Sequence, residues 1–228
     1  MKPCYIVFVI LLSSTVVNAQ NFTGSFDLIV SQLYKNGKES VDTLSYYFGT
    51  EKTALVIHAR GNQPDLRLVF HEADSTITGL YEQQGKKGGY ILPMNKKYWP
   101  AMQYALTDYG TGPRTELTTT TSQKKINDTL CTEMGCDNEA YSGTLWVADE
   151  IELSFVQVLA YQGVGAGEDI SHIEMIANCG VQGFVMQMTL KSKLGKADVV
   201  LHVENLRDTV PKGIFDRSEH QLSDLRKQ

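Results

Sequence analysis

Apolar and polar residues alternate with a period of two along most of the chain. The alternation is clearest in four segments: Phe26–Val30, Leu66–Phe70, Phe184–Leu190 and Ala197–Val203. A period of two is typical of a β-strand that buries one of its faces. The pattern therefore predicts a mainly β protein that is built from many short strands.

Further strand-like segments fill the intervals between these four: Ser45–Phe48, Thr53–His58, Thr76–Glu82, Tyr90–Met94, Lys125–Thr132 and Thr144–Ala148. Lys35–Lys38 contains the Asn-Gly pair of a type I′ hairpin turn, and Ser192–Lys196 is a Gly-containing loop. Strands joined by short turns are antiparallel neighbours. Because strands and helices do not alternate along the chain, a parallel α/β architecture is disfavoured.

Two segments follow a helical period instead. Asp149–Gln162 carries apolar residues at helical spacing. Ser171–Cys179 starts with the Ser-x-x-Glu pattern of a capping box and precedes Gly180, the residue type expected just past a helix. Gly163–Gly167 is predicted to be a flexible connection between the two helices. The polar, Thr-rich stretch Thr107–Lys124 is predicted to be a long surface loop.

The segment Met1–Ala19 has the three parts of a cleavable secretory signal peptide. Lys2 supplies a positive start, Tyr5–Leu12 is an unbroken apolar run, and small residues stand at the positions that signal peptidase reads. The apolar run is too short for a transmembrane anchor. We therefore expect one β-rich domain, Gln20–Gln228, that works in the periplasm or outside the cell and has no membrane span.

The net charge and the lack of catalytic motifs restrict the classes of function that the chain can have. The formal net charge of −5 disfavours nucleic acid as a partner, since an acidic surface repels phosphates. The chain has no G-x-S-x-G, H-E-x-x-H or Walker pattern. Its strand histidines, His58, His71 and His202, are interpreted as solvated side chains. We expect neither an enzyme nor a cofactor or metal site.

Three cysteines follow the signal segment: Cys131, Cys136 and Cys179. In an oxidising compartment this number favours one disulfide and one free thiol. Cys131 and Cys136 are close in sequence and could close a small hairpin loop, so we expect this pair to be bonded. Either cysteine could pair with Cys179 instead. No second pair of Cys or His residues has the spacing of a zinc site.

The second half of the chain is similar to a known family. The residues that carry the resemblance are Lys125–Asn127, the two cysteines after them, Leu145–Ala148, Gly183–Met188 and Val210–Phe215. They resemble the exported bacterial proteins of unknown function that are grouped with the LolA/LppX lipoprotein-carrier superfamily. The opening strand and the Tyr46–Tyr47 segment fit the same family.

The resemblance implies a strongly curved antiparallel sheet, an open half-barrel, in which two short helices plug the concave face. In carriers of this type, acyl chains lie between the sheet and the helices. The implied function is a non-enzymatic binder or carrier of a lipid or another hydrophobic small molecule, which would exchange its ligand with an exported partner protein. The residues expected to line the ligand are Phe26, Leu28, Phe48, Phe70, Trp146, Ile151, Phe155, Leu159, Ile173, Ile176, Met186 and Met188.

Two alternatives stay open. The first is a secreted structural or interaction module whose sheet is filled by its own side chains. The second, less favoured, is an uncharacterised hydrolase, which would need titratable groups clustered in a cleft.

Overall fold

The computed structural model describes residues 22–106, 117–165, 167, 169–181 and 183–226. The signal peptide predicted at Met1–Ala19 lies outside these residues. Within them, twelve strands form one open, curved sheet, and a few short helices cover its concave face. This confirms the predicted fold class, a mainly β protein consistent with an open half-barrel.

The first six strands form an antiparallel meander in which each strand pairs with the next. Their bounds are β1 (Gly24–Leu33), β2 (Glu39–Phe48), β3 (Lys52–Ile57), β4 (Leu66–His71), β5 (Thr76–Gln83) and β6 (Lys86–Pro93). A 3₁₀ turn, Glu72–Asp74, connects β4 to β5. In the β1–β2 turn only Gly37 has a positive φ, of 78°, so the predicted type I′ turn, which needs two such residues, is not formed.

A second antiparallel meander completes the sheet. It consists of β7 (Leu117–Ile126), β8 (Thr129–Asp137), β9 (Tyr141–Ala148), β10 (Phe184–Ser192) and β11 (Asp198–Arg207). The pairing of β1 with β11 joins the two meanders at the centre of the sheet. The last strand, β12 (Gln221–Asp224), lies parallel to β6 at the sheet edge. The loop predicted over Thr107–Lys124 is therefore partly wrong, since its last residues belong to β7.

Three α-helices are described: α1 (Met102–Leu106), α2 (Phe155–Ala160) and α3 (Ser171–Cys179). A 3₁₀ turn, Tyr161–Gly163, extends α2. Helix α1 was not predicted, because five residues are too few to show a helical period. Among the described residues, no helix is long and apolar enough to cross a membrane.

The helix predicted over Asp149–Gln162 starts later than expected. Ser154 is extended, with a ψ of 128°, and the N–H of Phe155 donates to the carbonyl of Gly183. The residues before Phe155 are thus held against the chain leading into β10 instead of forming helical turns.

The α3 bounds match the prediction, and Gly180 has the left-handed conformation expected after a helix. The predicted capping box is wrong. The hydroxyl of Ser171 donates to the carboxylate of Asp169 over 2.7 Å, and the same carboxylate accepts the backbone N–H of Ser171 over 3.1 Å, so Asp169 and not Ser171 supplies the acceptor at the start of the helix.

Cys136 and Cys179 form the disulfide, with their Cα atoms 5.7 Å apart, and it ties the end of α3 to β8. The expected bond between Cys131 and Cys136 is wrong. Both residues lie on β8, where five extended residues separate their Cα atoms by roughly 16 Å. That distance is more than twice what a disulfide spans. Cys131 is a buried free thiol, and burial raises its pKa.

Candidate functional site

The concave face and the helices enclose the main apolar core. The structure brings ten of the twelve expected ligand-lining residues into this core, all of them buried: Phe26, Leu28, Phe48, Phe70, Phe155, Leu159, Ile173, Ile176, Met186 and Met188. They come from strands on both halves of the sheet and from α2 and α3. The alternation along the strands and the helical period were therefore sufficient to place them on one side of the sheet.

Aromatic rings join the sheet to the helices. The ring centroid of Phe70 on β4 lies 4.8 Å from that of Trp99 and 4.7 Å from that of Tyr161. The indole N–H of Trp99 donates to the carbonyl of Ala160 over 2.8 Å. Trp99 and Tyr161 were not among the candidates: Trp99 lies outside any segment with a clear period, and Tyr161 lies in the predicted helix Asp149–Gln162 but was not counted among its apolar residues. They nevertheless form the contact between β4 and the chain that follows α2.

Neutral hydrogen bonds also cross this interface. The amide of Gln162 donates to the hydroxyl of Tyr46 over 2.8 Å, and the hydroxyl of Tyr161 donates to that of Thr53 over 3.4 Å. Burial raises the pKa of both tyrosines, so their hydroxyls stay protonated. The side of α2 that faces the sheet thus rests on apolar contacts and neutral bonds.

Trp146 is only partly buried and packs against this core from outside it. Its neighbours Leu145 and Val147 are fully buried, and successive strand residues point to opposite faces, so Trp146 points to the convex face. There the ammonium of Lys124 lies 4.1 Å from the centroid of the indole ring. The same ammonium donates to Gln187 over 2.7 Å.

Ile151, the twelfth candidate, lines a cavity of about 440 Å³ at one end of the sheet. We call this cavity the mouth. It lies between the residues that lead into β1, the end of β11 and the loop before α2, and its lining residues are Phe22, Thr23, Glu150, Ile151, Glu152, Leu206, Arg207 and Asp208. The lining thus combines three apolar side chains, Phe22, Ile151 and Leu206, with four charged ones, Glu150, Glu152, Arg207 and Asp208.

The mouth is in contact with the core. The ring centroid of Phe22 lies 5.7 Å from that of Phe48 and 6.3 Å from that of Phe26. A Cβ atom on Gly24 would lie 2.3 Å from the carbonyl oxygen of Arg207, so β1 can approach β11 here only because residue 24 is glycine. Phe22 therefore lines the cavity and also contacts two of the buried candidates.

The convex face carries a polar network around Ser45. Its hydroxyl lies 2.5 Å from a carboxylate oxygen of Asp27 and 2.8 Å from Nε2 of His58. The other ring nitrogen of His58 lies 3.0 Å from Asp65, which also accepts the N–H of Ala59 over 2.8 Å. This backbone N–H, and then His58, lower the pKa of Asp65.

The order serine, histidine, aspartate is that of a catalytic triad, but the surroundings differ from one. Ser45 is only 4 % exposed and lies on β2, paired on one side with Asp27 and on the other with Val56. Its neighbouring backbone N–H groups are engaged in the two ladders, whereas a serine hydrolase needs such donors for the oxyanion. Asp27 also competes with His58 for the hydroxyl proton. The network connects β1, β2 and the β3–β4 loop.

Within the described ranges, no group of three or more His, Cys, Asp and Glu side chains is arranged to hold a metal ion.

No protein-family model matches the chain, and no curated protein matches it in sequence. Among solved structures, PNGF-II is similar with a TM-score of 0.40 and 9 % identity, over 89 % of this chain and 31 % of that one. This chain thus spans about a third of the length of PNGF-II.

Two further solved structures extend over most of both chains. A LolA superfamily protein from Nitrosomonas europaea has a TM-score of 0.36 and 10 % identity, over 86 % of this chain and 91 % of that one. A DUF1329 family protein from Desulfovibrio piger has a TM-score of 0.26 and 13 % identity, over 89 % of this chain and 93 % of that one.

Proposed function

We propose that this protein is a non-enzymatic binder or carrier of a lipid or another hydrophobic small molecule, exported to the periplasm or the cell exterior. The ligand lies between the concave face and the helices. The observation that carries the proposal is the mouth, whose lining includes Phe22, Ile151 and Leu206 and whose Phe22 ring contacts Phe48 of the apolar core.

A ligand enters by moving Phe22 and spreading the helices from the sheet. Most of the contacts that it replaces are apolar, so methylene groups can substitute for them, and the neutral hydrogen bonds of Gln162 and Tyr161 to the sheet are the polar contacts that would have to open or be bypassed. Each buried methylene contributes about 0.8 kcal/mol, and a long acyl chain thus gains on the order of 10 kcal/mol before the costs of association. The charged side chains of the mouth would hold a polar headgroup at the surface.

Two features support export. Met1–Ala19 has the pattern of a signal peptide. The Cys136–Cys179 disulfide is typical of chains that fold in an oxidising compartment. The resemblance of the sequence to the LolA/LppX superfamily favours the periplasm and a protein partner that delivers or receives the ligand.

The absence of catalysis in this proposal is supported by the burial of Ser45 and by the engaged N–H groups around it. A reagent that acylates or phosphonylates active serines should leave Ser45 unmodified.

The test uses the mature chain, Gln20–Gln228, and a fluorescent fatty-acid analogue. We expect the probe to bind with a dissociation constant of about 1 µM or less. Ile151→Glu places a charge in the mouth wall and should weaken binding at least tenfold, or about 1.4 kcal/mol. The control is Leu194→Glu, which changes a leucine that is 64 % exposed in the β10–β11 loop. Equal binding by both variants would contradict entry through the mouth.

A second candidate is an interaction module with a permanently filled core. It is favoured by the side chains of Phe26, Phe48 and Phe70, each at most 1 % exposed and packed against other rings. If the probe stays unbound and material from the native host carries no extractable lipid, this second function replaces the first.

A further inference from the structure

A second cavity, of about 400 Å³, lies on the convex face and is unrelated to the mouth. It lies between strands β4 to β6 and the C-terminal segment, which we define as residues 208–226. We call it the convex cleft. The charged and titratable residues that line it are Asp65, Arg67, Tyr81, Glu82, Lys87, Asp216, Glu219 and His220.

The wall of the convex cleft is fixed in place by contacts on both sides. Ile214, Phe215 and Leu222 pack against an apolar cluster on the convex face that includes Val69 and Leu80. The guanidinium of Arg217 donates to the hydroxyl of Thr78 over 3.2 Å, and β12 continues the sheet beside β6. The cleft is therefore a preformed cavity with walls that belong to the fold.

Arg67 lies in the floor of the cleft with most of its donors unused. One guanidinium N–H donates to the main-chain carbonyl of Asp216 over 3.0 Å. Burial lowers the pKa of Arg67, which still remains charged at neutral pH. None of the ion pairs formed by the described residues includes Arg67, although Asp216 lines the same cleft. A guanidinium carries five N–H donors, so several stay available to a ligand.

The acids of the cleft already have partners but keep acceptor capacity. Glu219 pairs with Lys87, and the carboxylate of Asp216 accepts the N–H of Ser218 over 2.8 Å. A carboxylate offers about four lone-pair positions, so each can still accept a hydroxyl hydrogen. Glu82 lines the cleft opposite Lys87 in the β5–β6 ladder and adds a further acceptor.

His220 adds a buried polar atom without a partner. Its Nδ1 is shielded from solvent and makes no hydrogen bond. Burial, and then the charges of Arg67 and Lys87, lower the pKa of His220, so the ring is neutral at neutral pH. Because Nδ1 is closed to solvent, Nε2 is the nitrogen of the neutral ring that could meet a ligand, and as either donor or acceptor it suits a hydroxyl group.

The presence of both positive and negative side chains in the cleft indicates which class of ligand it can bind. A ligand with a full charge of either sign would meet like charges in this cleft, and such contacts are costly. A neutral molecule rich in hydroxyl groups meets no such cost and can both donate to the carboxylates and accept from Arg67. We propose that the convex cleft binds a neutral saccharide of one or two rings. This site is independent of the proposed carrier function, since it lies on the opposite face of the sheet.

The test is an NMR titration of the ¹⁵N-labelled mature chain with neutral sugars: glucose, galactose, mannose, N-acetylglucosamine, maltose and lactose. Glucuronate and glucosamine provide the charged comparison. We expect at least one neutral sugar to shift the amide signals of Leu80, Glu82 and His220, with a dissociation constant of about 1 mM.

The variants Arg67→Gln and Glu82→Gln should each weaken that binding at least tenfold. Glu82 is exposed, so its variant keeps the test valid even if loss of the half-buried Arg67 unfolds the chain. Arg60→Gln is the matched control, because Arg60 pairs with Asp42 outside the cleft. The proposal is overturned if no neutral sugar shifts these signals, if a charged sugar binds more tightly, or if the cleft variants bind as the control does.

Discussion

On the concave face of the sheet, rings and aliphatic chains meet the helices mainly through apolar contacts, and two of the hydrogen bonds that join them are the neutral ones of Gln162 and Tyr161. On the convex face, Ser45, His58 and Asp65 are held by hydrogen bonds of 2.8 to 3.0 Å, and the C-terminal segment encloses charged groups. Both faces belong to the same twelve strands. The two faces differ because successive residues of each strand point to opposite sides of the sheet, so each face carries its own set of side chains.

The two kinds of surface respond differently to a ligand. An apolar interface loses little free energy when a methylene group of a ligand replaces a side-chain contact. The helices can therefore separate from the concave face around a hydrophobic molecule. A hydrogen-bonded network loses energy as soon as one partner moves, because the groups left behind are unsatisfied. We therefore expect the concave side to adapt its shape and the convex side to keep it.

The largest effect should come from Phe70→Ala. Phe70 is 1 % exposed and contacts both Trp99 and Tyr161, so its loss leaves a cavity between the sheet and α2. We expect the free energy of unfolding to fall by about 3–5 kcal/mol, as measured by urea denaturation.

Tyr34→Ala is the control for this change, since Tyr34 is 43 % exposed at the β1–β2 turn. Its effect should stay within about 0.5 kcal/mol. A small loss for Phe70→Ala would mean that the helices do not rest on the sheet as described, and it would remove the contrast between the two faces.

The next largest loss of stability should come from removal of the disulfide on the concave side. The double variant Cys136→Ser/Cys179→Ser releases α3 from β8 and opens a loop with a sequence separation of 43. We expect a loss of about 2–4 kcal/mol in unfolding free energy. The control is Cys131→Ala, which leaves the disulfide intact and removes one buried sulfur.

Peptide mapping of the unreduced protein checks the pairing directly. It should give one bridged pair that joins the Cys136 and Cys179 peptides and one free thiol at Cys131. A bridge between Cys131 and Cys136 would require β8 to be interrupted between them, and it would contradict the sheet register of this region.

Much of the fold could be predicted from the sequence, because strands with one buried face leave a period of two. Phe184–Leu190 and Leu66–Phe70 were placed correctly for this reason, and Gly180 marked the end of α3. The disulfide could not be predicted. Proximity in sequence favoured Cys131 with Cys136, whereas the extended geometry of β8 keeps them apart and the path of α3 brings Cys179 to Cys136.

The residues of the candidate sites also divide into those that the sequence could predict and those that it could not. Residues such as Leu28 and Ile173 follow a period and were placed in the core, whereas Phe22, Leu206 and Trp99 lie at element ends and carry no periodic signal. The Ser45 network joins residues that are 7 to 18 positions apart in sequence and meet only through strand pairing. Nothing in the sequence around His58 distinguished it from a solvated histidine.

The smallest effect should come from Ser45→Ala on the convex face. The change removes the hydroxyl that connects Asp27 to His58. Part of the loss can be recovered, since the His58 side chain is 40 % exposed and can bond to water, and Asp27 is partly exposed and still accepts from Asn205 over 2.7 Å. We therefore expect a loss of about 1 kcal/mol in unfolding free energy. Ser40→Ala, on the same strand but outside the network, should lie within about 0.5 kcal/mol of the unaltered protein.

Binding of the fatty-acid probe should be unchanged in both variants, because the network lies on the opposite face from the proposed ligand. If Ser45→Ala weakens probe binding as Ile151→Glu does, the two faces are coupled, and the separation between an adaptable and a fixed surface does not hold.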